Sequence, residues 1–249
     1  MQLSNFKMTI EYDGGGFHGW QRQKGCRTVQ EEIEIALNTV IRQKIALIGS
    51  GRTDAGVHAL GQVASFKCHT RLDPGTIQKA LNSLLPDAIV IRDCLRAEPT
   101  FHARFDARRK TYRYRILNHP LRVAVGRQYA WHLRRPLDLD AMRRAAAILV
   151  GRHDFTAFEG AGSPRSHAVR QVFRAFFSRE ERAEFLAFDI EADGFLRFMV
   201  RNIVGTLVLV GSGKFGTANF GEILLSRERK RAGATAPPHG LFLMGVGYE

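Results

Sequence analysis

Residues 28–41 read TVQEEIEIALNTVI, and this stretch determines how the first half of the chain folds. Thr28 and Glu31 have the spacing of a capping box, in which two side chains satisfy backbone N–H groups at a helix N-terminus. Apolar residues then recur at helical intervals, so the stretch predicts an amphipathic helix. Its apolar face comprises Val29, Ile33, Ala36, Leu37, Val40 and Ile41.

Strand-like segments lie on both sides of this helix, and a second helix follows. Alternation over Lys7–Tyr12 predicts a strand, which the loop Asp13-Gly14-Gly15-Gly16 ends. Asp73-Pro74 predicts the start of the second helix, with the aspartate as N-cap, and Pro86 stops it. Three more predicted strands complete the order β-α-β-β-α-β: Ile45–Ile48, Gln62–Cys68 and Ile89–Ile91.

The second half of the chain shows the same order of elements. We therefore predict an α+β protein of two ferredoxin-like (split βαβ, RRM-like) domains, with antiparallel sheets and a cleft between them. The domains are expected to span residues 1–106 and 107–249. The predicted elements of the second are strand Thr111–Leu117, helix Leu139–Val150, strands Val172–Phe177 and Phe185–Ile190, helix Phe195–Val210, a short helix near Asn219–Arg227 and strand Leu241–Tyr248.

The overall composition is that of an ordinary globular protein. Hydrophobic residues make up 45% of the 249 residues and charged residues 24%. No apolar run approaches the roughly 20 residues that cross a bilayer, and Met1–Lys7 lacks the apolar core of a signal peptide. We expect a cytoplasmic protein whose Cys26, Cys68 and Cys94 are reduced thiols. The histidines and cysteines show no metal-ligand spacing, so no metal is expected.

The charge of the chain indicates a polyanionic partner. Net charge is +13, with 29 arginines and 8 lysines, and the planar arginine side chain suits phosphate binding. Residues 1–106 carry 13 basic and 11 acidic residues, a net of +2, whereas residues 107–249 carry 24 and 13, a net of +11. This asymmetry predicts a nucleic-acid-binding surface on the second half. A basic but merely solvated surface is the alternative.

A segment at the domain boundary combines basic and aromatic residues. On a strand, Tyr112 and Tyr114 share one face while Arg113 and Arg115 share the other. Aromatic rings stack on unpaired bases and arginines bind phosphates, as in readers of single-stranded RNA. The alternative is an amphipathic strand with its tyrosines in the core, which we favour for Tyr114 and leave open for Tyr112. The basic residues are Arg104, Arg108, Arg109, Lys110, Arg113 and Arg115, with Phe105 among them.

Residues 211–216, GSGKFG, match the dinucleotide-binding pattern G-x-G-x-x-G. That pattern requires a preceding strand. Here the preceding residues, Met199–Val208, have helical spacing instead. We interpret Gly211 as a helix terminator and predict no nucleotide cofactor.

Residues 49–58, GSGRTDAGVH, form the most unusual stretch. Its glycines permit tight turns and close backbone approach to a ligand. Arg52 lies two positions before Asp54 and would hold that carboxylate ionised, fit to act as a nucleophile or a base. A structural ion pair in a glycine-rich turn is the alternative, and from charge and spacing alone it is the favoured one.

The stretch Gly51–Ala59 resembles the signature of the tRNA pseudouridine synthase I family, the anticodon stem-loop type. Further segments resemble the family in the same order over nearly the whole chain, and the resemblance is weakest over Glu159–His167. These segments are Tyr12–Gly14, Phe17–Gln21, Val29–Gln30, Leu85–Pro86, Phe101–Arg104, Tyr112–Tyr114, His153–Phe155, Met199–Asn202 and Ala236–Leu241.

The resemblance implies an enzyme that isomerises uridine to pseudouridine at positions 38, 39 and 40 of tRNA, without a cofactor. It also implies a homodimer in which one tRNA contacts both subunits. Six residues take roles by match: Asp54 as catalytic aspartate, Arg52 as its ion-pair partner that helps to evict the base, Tyr112 as the ring that stacks on the uracil, and Arg201, Arg104 and His58 as substrate-binding residues.

Two alternatives remain, and the first belongs to a different class of function. A non-catalytic RNA-binding module would explain the charge and Tyr112, but it gives the Arg52–Asp54 turn no role. An enzyme with the same chemistry on a different RNA would keep that role and change the substrate.

Because the binding partner is predicted from charge, RNA affinity should fall steeply with salt. Each phosphate neutralised adds about −0.7 to −0.9 to the slope of log K against log [KCl]. We expect a slope several times this value for tRNA binding, measured by filter binding or anisotropy between low and moderate salt. A nearly flat dependence would contradict the role assigned to the second half.

Overall fold

The structure is a computed structural model that describes residues 3–162 and 167–249. The first two residues of the segment Met1–Lys7, examined above for a signal peptide, lie outside the described residues. So do residues 163–166, within the stretch where the family resemblance is weakest.

The chain is a mixed α/β protein with mostly antiparallel strand pairing, which confirms the predicted class. The strands are β1 (Leu3–Tyr12), β2 (Ile48–Gly49), β3 (His58–His69), β4 (Ile89–Ala97), β5 (Arg109–Asn118), β6 (Trp131–Leu133), β7 (Gly151–Asp154), β8 (Val169–Arg179), β9 (Phe185–Ala192) and β10 (Leu241–Gly247). The helices are α1 (Val29–Ile41), α2 (Pro74–Leu84), α3 (Leu139–Ala147), α4 (Met199–Gly211) and α5 (Thr217–Ser226).

The chain divides into two compact units. The first unit comprises Met1–Arg108 and Phe242–Glu249, and the second comprises Arg109–Leu241. Residues 242–249 were assigned to the second half from the sequence. They pack in the first unit because Phe242 and Leu243 pair with the start of β3.

In the first unit, β1 lies between β4 and β3 and pairs antiparallel with both. The other edge of β3 is shared. Its first residues pair in parallel with β10, and its later residues pair antiparallel with β2. Alternate residues of β1 are buried, as the alternating pattern predicts, and the apolar face of α1 is buried with them.

The two helices of this unit begin where the sequence predicts, but by different means. Asp73 caps α2 by accepting a hydrogen bond from the Thr76 N–H at 3.0 Å. Thr28 is the N-cap of α1, yet the predicted capping box does not form. The carbonyls of Gly19 and Trp20 instead accept the first two N–H groups of α1, at 3.2 and 3.0 Å. A neighbouring loop therefore replaces the side-chain cap.

In the second unit, the strand order is β5-β9-β8-β7 with antiparallel pairing, and β6 adds to β5 in parallel. The prediction of a helix before Gly211 is confirmed by α4, which ends at that residue. Helix α4 begins at Met199 and not at Phe195, because Phe198 has a left-handed backbone with φ of +60°. Strands β6 and β7 were not predicted.

The observed strand bounds of the first unit differ from the predicted ones. Strands β1, β3 and β4 extend beyond the predicted segments, whereas only Ile48 of the predicted strand 45–48 is in a strand. All three cysteines are free thiols, as predicted. Within the two described ranges of the chain, no helix combines the length and the apolarity that a membrane crossing requires.

A buried amide ties α4 to the segment that follows α5. The Asn202 side chain is fully buried, and its Nδ2 donates to the Phe158 carbonyl at 2.8 Å. Its Oδ1 accepts from Arg229 Nη2 at 3.0 Å and from the Thr235 hydroxyl at 2.7 Å. One amide therefore joins three separate stretches of the second unit.

Replacing this amide should destabilise the protein. Asn202→Ala leaves the Phe158 carbonyl without its donor, and we expect the free energy of unfolding to fall by about 1–3 kcal/mol in denaturant titrations. Gln128→Ala removes an exposed amide from the same unit and should change stability by less than about 0.5 kcal/mol. Equal stabilities of the two variants would contradict a structural role for Asn202.

Candidate active site

Asp54 lies in a tight turn immediately before β3. Its carbonyl accepts a hydrogen bond from the Val57 N–H at 3.1 Å. Gly56, the third residue of the turn, has φ of +76°, as a type II turn requires. Asp54 is half-buried, whereas Thr53 and Val57 beside it are buried. The turn therefore presents the carboxylate residue between two anchored neighbours.

The loop formed by residues 13–21 holds this turn by its backbone. The Trp20 N–H donates to the Thr53 carbonyl at 3.1 Å, and the Gly56 N–H donates to the Phe17 carbonyl at 3.3 Å. The hydroxyls of Tyr12 and Thr53 are hydrogen-bonded at 2.7 Å. Burial raises the pKa of the Tyr12 phenol well above its ordinary value. The phenol therefore stays protonated throughout the physiological pH range.

Gly14 allows this loop to lie against the turn. A Cβ atom at Gly14 would come within 2.0 Å of the Val57 carbonyl oxygen, so no other residue fits without a backbone shift. The Gly14 N–H donates to Nδ1 of His58 at 3.1 Å, and Oδ1 of Asp13 lies 3.0 Å from the same nitrogen. Loop and turn are thus in direct backbone contact.

His58, which the family resemblance places at the substrate, is only 3% exposed. Its ring stacks on Phe242 with the centroids 4.8 Å apart, and its Nδ1 meets the loop at Gly14. In this position it supports the turn and the loop from the interior.

Arg52 is exposed, and its guanidinium is held by a chain of side-chain amides. Its Nε donates to Oε1 of Gln21 at 3.0 Å, and Nε2 of Gln21 donates to Oε1 of Gln30 at 2.9 Å. Gln30 in turn donates to Glu34 of α1 at 3.1 Å. The structure therefore shows Arg52 bound to Gln21, and the ion pair with Asp54 expected from the sequence stays a prediction.

The tyrosines of β5 point inward, together on one face. Tyr114 is fully buried and donates its hydroxyl proton to the Pro237 carbonyl at 2.8 Å, which confirms the core interpretation. Burial raises the pKa of its phenol well above the ordinary value. Tyr112 is 8% exposed, and its ring meets Phe195 edge-on at 5.0 Å. The Tyr112 ring is thus largely buried in this structure, and its stacking on the uracil stays a prediction.

The arginines of β5 are engaged by carboxylates on the other face of the sheet. Arg113 donates two hydrogen bonds to Asp189, at 2.9 and 3.0 Å, which raise the pKa of its guanidinium. Arg115 donates two to Glu180, at 2.7 and 2.6 Å. Paired charges of this kind stabilise the sheet and are poor phosphate ligands, which favours the amphipathic-strand interpretation for these two residues.

The remaining predicted residues lie in different settings. Arg201 on α4 donates from Nε to the Ala236 carbonyl at 2.7 Å, and its guanidinium lies 5.0 Å from the Phe198 ring. Arg104 is exposed in the first unit, with its guanidinium 5.7 Å from the ring of Phe105.

The loop formed by residues 13–21 is the part of the site that sequence reasoning missed. Its glycines and the segment Phe17–Gln21 were noticed as a flexible loop and as part of the family resemblance. Neither observation revealed that Gln21 binds Arg52 or that Trp20 binds Thr53. Such contacts join residues about 30 positions apart and leave no periodic signal. Within residues 3–162 and 167–249, no group of three or more His, Cys, Asp and Glu side chains is placed to bind a metal ion.

Comparison with known proteins assigns this chain to a family. Residues 8–106 and 145–249 match the family model described as tRNA pseudouridine synthase. Proteins named tRNA pseudouridine synthase A are similar over nearly their full lengths. The one from Thermoanaerobacter sp. (strain X514) is 45% identical over 99% of this chain and 100% of its own length. The one from Moorella thermoacetica is 46% identical over 97% and 98%.

The chain therefore belongs to the tRNA pseudouridine synthase family. It is an enzyme of the isomerase class that acts on uridine in tRNA.

The contact between Gly14 and the Asp54 turn should be essential for activity. Gly14→Ala displaces the turn, and a shift of about 1 Å can cost about 10²-fold in rate. We expect a loss of that size in kcat/KM, measured by tritium release from tRNA containing 5-tritiated uridine. Gly16→Ala is the matched control, because a Cβ atom there meets nothing within 4 Å. Similar rates for the two variants would show that the contact does not position the turn.

Proposed function

We propose that this enzyme converts uridine to pseudouridine at positions 38, 39 and 40 of the tRNA anticodon stem-loop, with Asp54 as its catalytic residue and without a cofactor. The observation that carries the proposal is the hydrogen-bonded turn that contains Asp54. Thr53 and Gly56, on either side of Asp54, are hydrogen-bonded to the loop formed by residues 13–21, and Asp54 is itself only half-buried. A reacting carboxylate needs such a fixed backbone and an accessible position.

The reaction breaks the bond between N1 of uracil and C1′ of ribose and joins C1′ to C5 of the same base. C5 loses its hydrogen and N1 gains one, so there is no net redox change and no oxidant or reductant is needed. An ionised Asp54 can start the reaction by adding to the base, by attacking C1′ or by removing a sugar proton to give a glycal. Each route begins with a carboxylate.

The target base must first leave the helical stack, at a cost of a few kcal/mol. We propose that Arg52 helps to evict it and then pairs with Asp54, and that Tyr112 stacks on the uracil. Arg201, Arg104 and His58 complete the proposed set. His58 acts by supporting the turn, since it is buried, and exposed Arg104 acts by contacting RNA directly.

We also propose that the enzyme acts as a homodimer in which one tRNA contacts both subunits, and that it works in the cytoplasm. In this proposal each unit is a ferredoxin-like domain. The order β-α-β-β-α-β over β1 to β4 and the neighbours β4-β1-β3-β2 of the first unit support this assignment. The cleft expected between the domains stays a prediction.

Asp54→Asn should abolish the reaction while tRNA binding survives. The asparagine keeps the size of the side chain but lacks the ionised carboxylate that would attack the base or C1′ or remove a sugar proton. We expect tritium release to fall by about 10⁴-fold or more, the scale of removing a catalytic nucleophile. The dissociation constant for tRNA should stay within about threefold.

Asp73→Asn is the matched control for this test, because it removes the same charge from the same unit while asparagine still caps α2. It should be fully active. In cells lacking the gene, the native chain should restore pseudouridine at positions 38, 39 and 40, and the Asp54→Asn chain should not. Modification restored by that variant would refute the role of Asp54, and pseudouridine restored only at other RNA positions would refute the proposed substrate site.

A further inference from the structure

Phe105 displays an aromatic ring to solvent in a defined orientation. It is 72% exposed, whereas the exposed phenylalanines of β8, Phe173 and Phe176, are at 38% and 42%. The His102 imidazole stacks on it with the centroids 4.2 Å apart and the planes inclined by 23°. One face of the Phe105 ring is therefore covered by imidazole, and its exposure places the opposite face in contact with water.

The backbone around the two rings is held by several hydrogen bonds. Nδ1 of His102 accepts from the N–H groups of both Arg104 and Phe105, each at 3.2 Å. The His102 N–H donates to the Asp106 carboxylate at 2.8 Å, and the Asp106 N–H donates back to the His102 carbonyl at 3.1 Å. An isolated exposed phenylalanine is common and needs no explanation. A ring fixed in place by its own loop is preorganised to bind.

Buried contacts anchor this loop to the sheet of the first unit. The Ala103 N–H donates to the Ser65 hydroxyl at 3.2 Å, and the Ala103 carbonyl accepts from the Tyr248 hydroxyl at 2.8 Å. Ser65 is seven residues along β3 from His58, next to the Asp54 turn. At about 3.3 Å per residue, the anchor point is roughly 20 Å along the strand from that turn.

The charges beside the ring favour a nucleotide. Arg104 is exposed, its guanidinium lies 5.7 Å from the Phe105 centroid, and Arg108 is exposed nearby in the chain. The one carboxylate of this segment, Asp106, is occupied by the His102 N–H. An exposed aromatic ring with exposed guanidinium groups near it is the arrangement that binds an unpaired base by stacking and its phosphate by charge.

We propose that Phe105 is a stacking platform for an unpaired tRNA base other than the target uridine, and that Arg104 contacts a neighbouring phosphate. The inference rests on the proposed function only in taking tRNA as the ligand. The anchor of the Phe105 loop lies roughly 20 Å along β3 from the Asp54 turn. The bound base therefore lies several nucleotides from the reacting base. The platform therefore holds the RNA in register without contacting the reacting uridine.

The test compares four replacements of Phe105. Phe105→Ala should weaken tRNA binding by about 5- to 100-fold, the fold-change that corresponds to stacking of one base. At saturating tRNA, kcat should stay within about threefold, so the loss appears in KM. Phe105→Tyr and Phe105→Trp should restore affinity, whereas Phe105→Leu, apolar but without a ring, should not. Leu84→Ala, an exposed apolar residue of the same unit, is the control that should bind normally.

The Phe105→Trp variant also reports stacking directly. Its indole fluorescence, after subtraction of the native protein's signal, should be quenched by tRNA and unchanged by a fully paired RNA duplex. Unchanged affinity in Phe105→Ala, full affinity in Phe105→Leu, or equal quenching by the duplex would each overturn the proposal. So would a change in sedimentation of Phe105→Ala without RNA, because it would make the ring a contact between copies of the chain.

These outcomes differ from failure of the proposed function. An inactive native enzyme, or a fully active Asp54→Asn variant, would refute the catalytic assignment. Neither result alters the ratio of tRNA affinities between native and Phe105→Ala protein, which alone decides the platform.

Discussion

The hydrogen bond from the Trp20 N–H to the Thr53 carbonyl is the contact on which the Asp54 turn depends. It fixes the backbone of the residue before Asp54 to the loop formed by residues 13–21. The same loop caps α1 through the carbonyls of Gly19 and Trp20. A short glycine-rich loop therefore connects the turn to a helix and, through Tyr12, to a strand. Displacing the turn would require breaking helix capping and backbone contacts together, so the turn is positioned by the core of the unit.

Electrostatics act differently in the sheet and on the surface. On β5, Arg113 and Arg115 are half-buried and form paired contacts with Asp189 and Glu180. The net charge of residues 107–249 already counts these acids: 24 basic minus 13 acidic residues leaves +11. The excess of 11 basic residues therefore remains after every acid of this half is counted, and such an excess gives a positive potential that favours a polyanion.

Residue type and spacing predicted helices and caps. They did not predict contacts between residues that are distant in the sequence. The helix before Gly211 followed from spacing, and the N-cap at Asp73 followed from residue type. Thr28 shows the limit, because its position as N-cap was predicted correctly while its bonding was not: the carbonyls of Gly19 and Trp20 accept the first two N–H groups of α1. For Asp54, residue chemistry alone favoured a structural ion pair, and only the ordered family segments pointed to catalysis. The hydrogen bond from Arg52 to Gln21 was not predicted, since nothing in the spacing reveals a neighbouring amide, and the ion pair with Asp54 stays a prediction.

The Gln21 contact is consistent with a mobile role for Arg52. An exposed hydrogen bond between a guanidinium and a neutral amide contributes little net stability, because water competes for both groups. The backbone of the turn, by contrast, is fixed by hydrogen bonds to Trp20 and Phe17, which are both buried. Under the proposed function, the site therefore combines a carboxylate on a fixed turn with an arginine whose hydrogen bond to Gln21 is exposed to solvent. That division suits a reaction in which a base must first be displaced and then meet a carboxylate that has not moved.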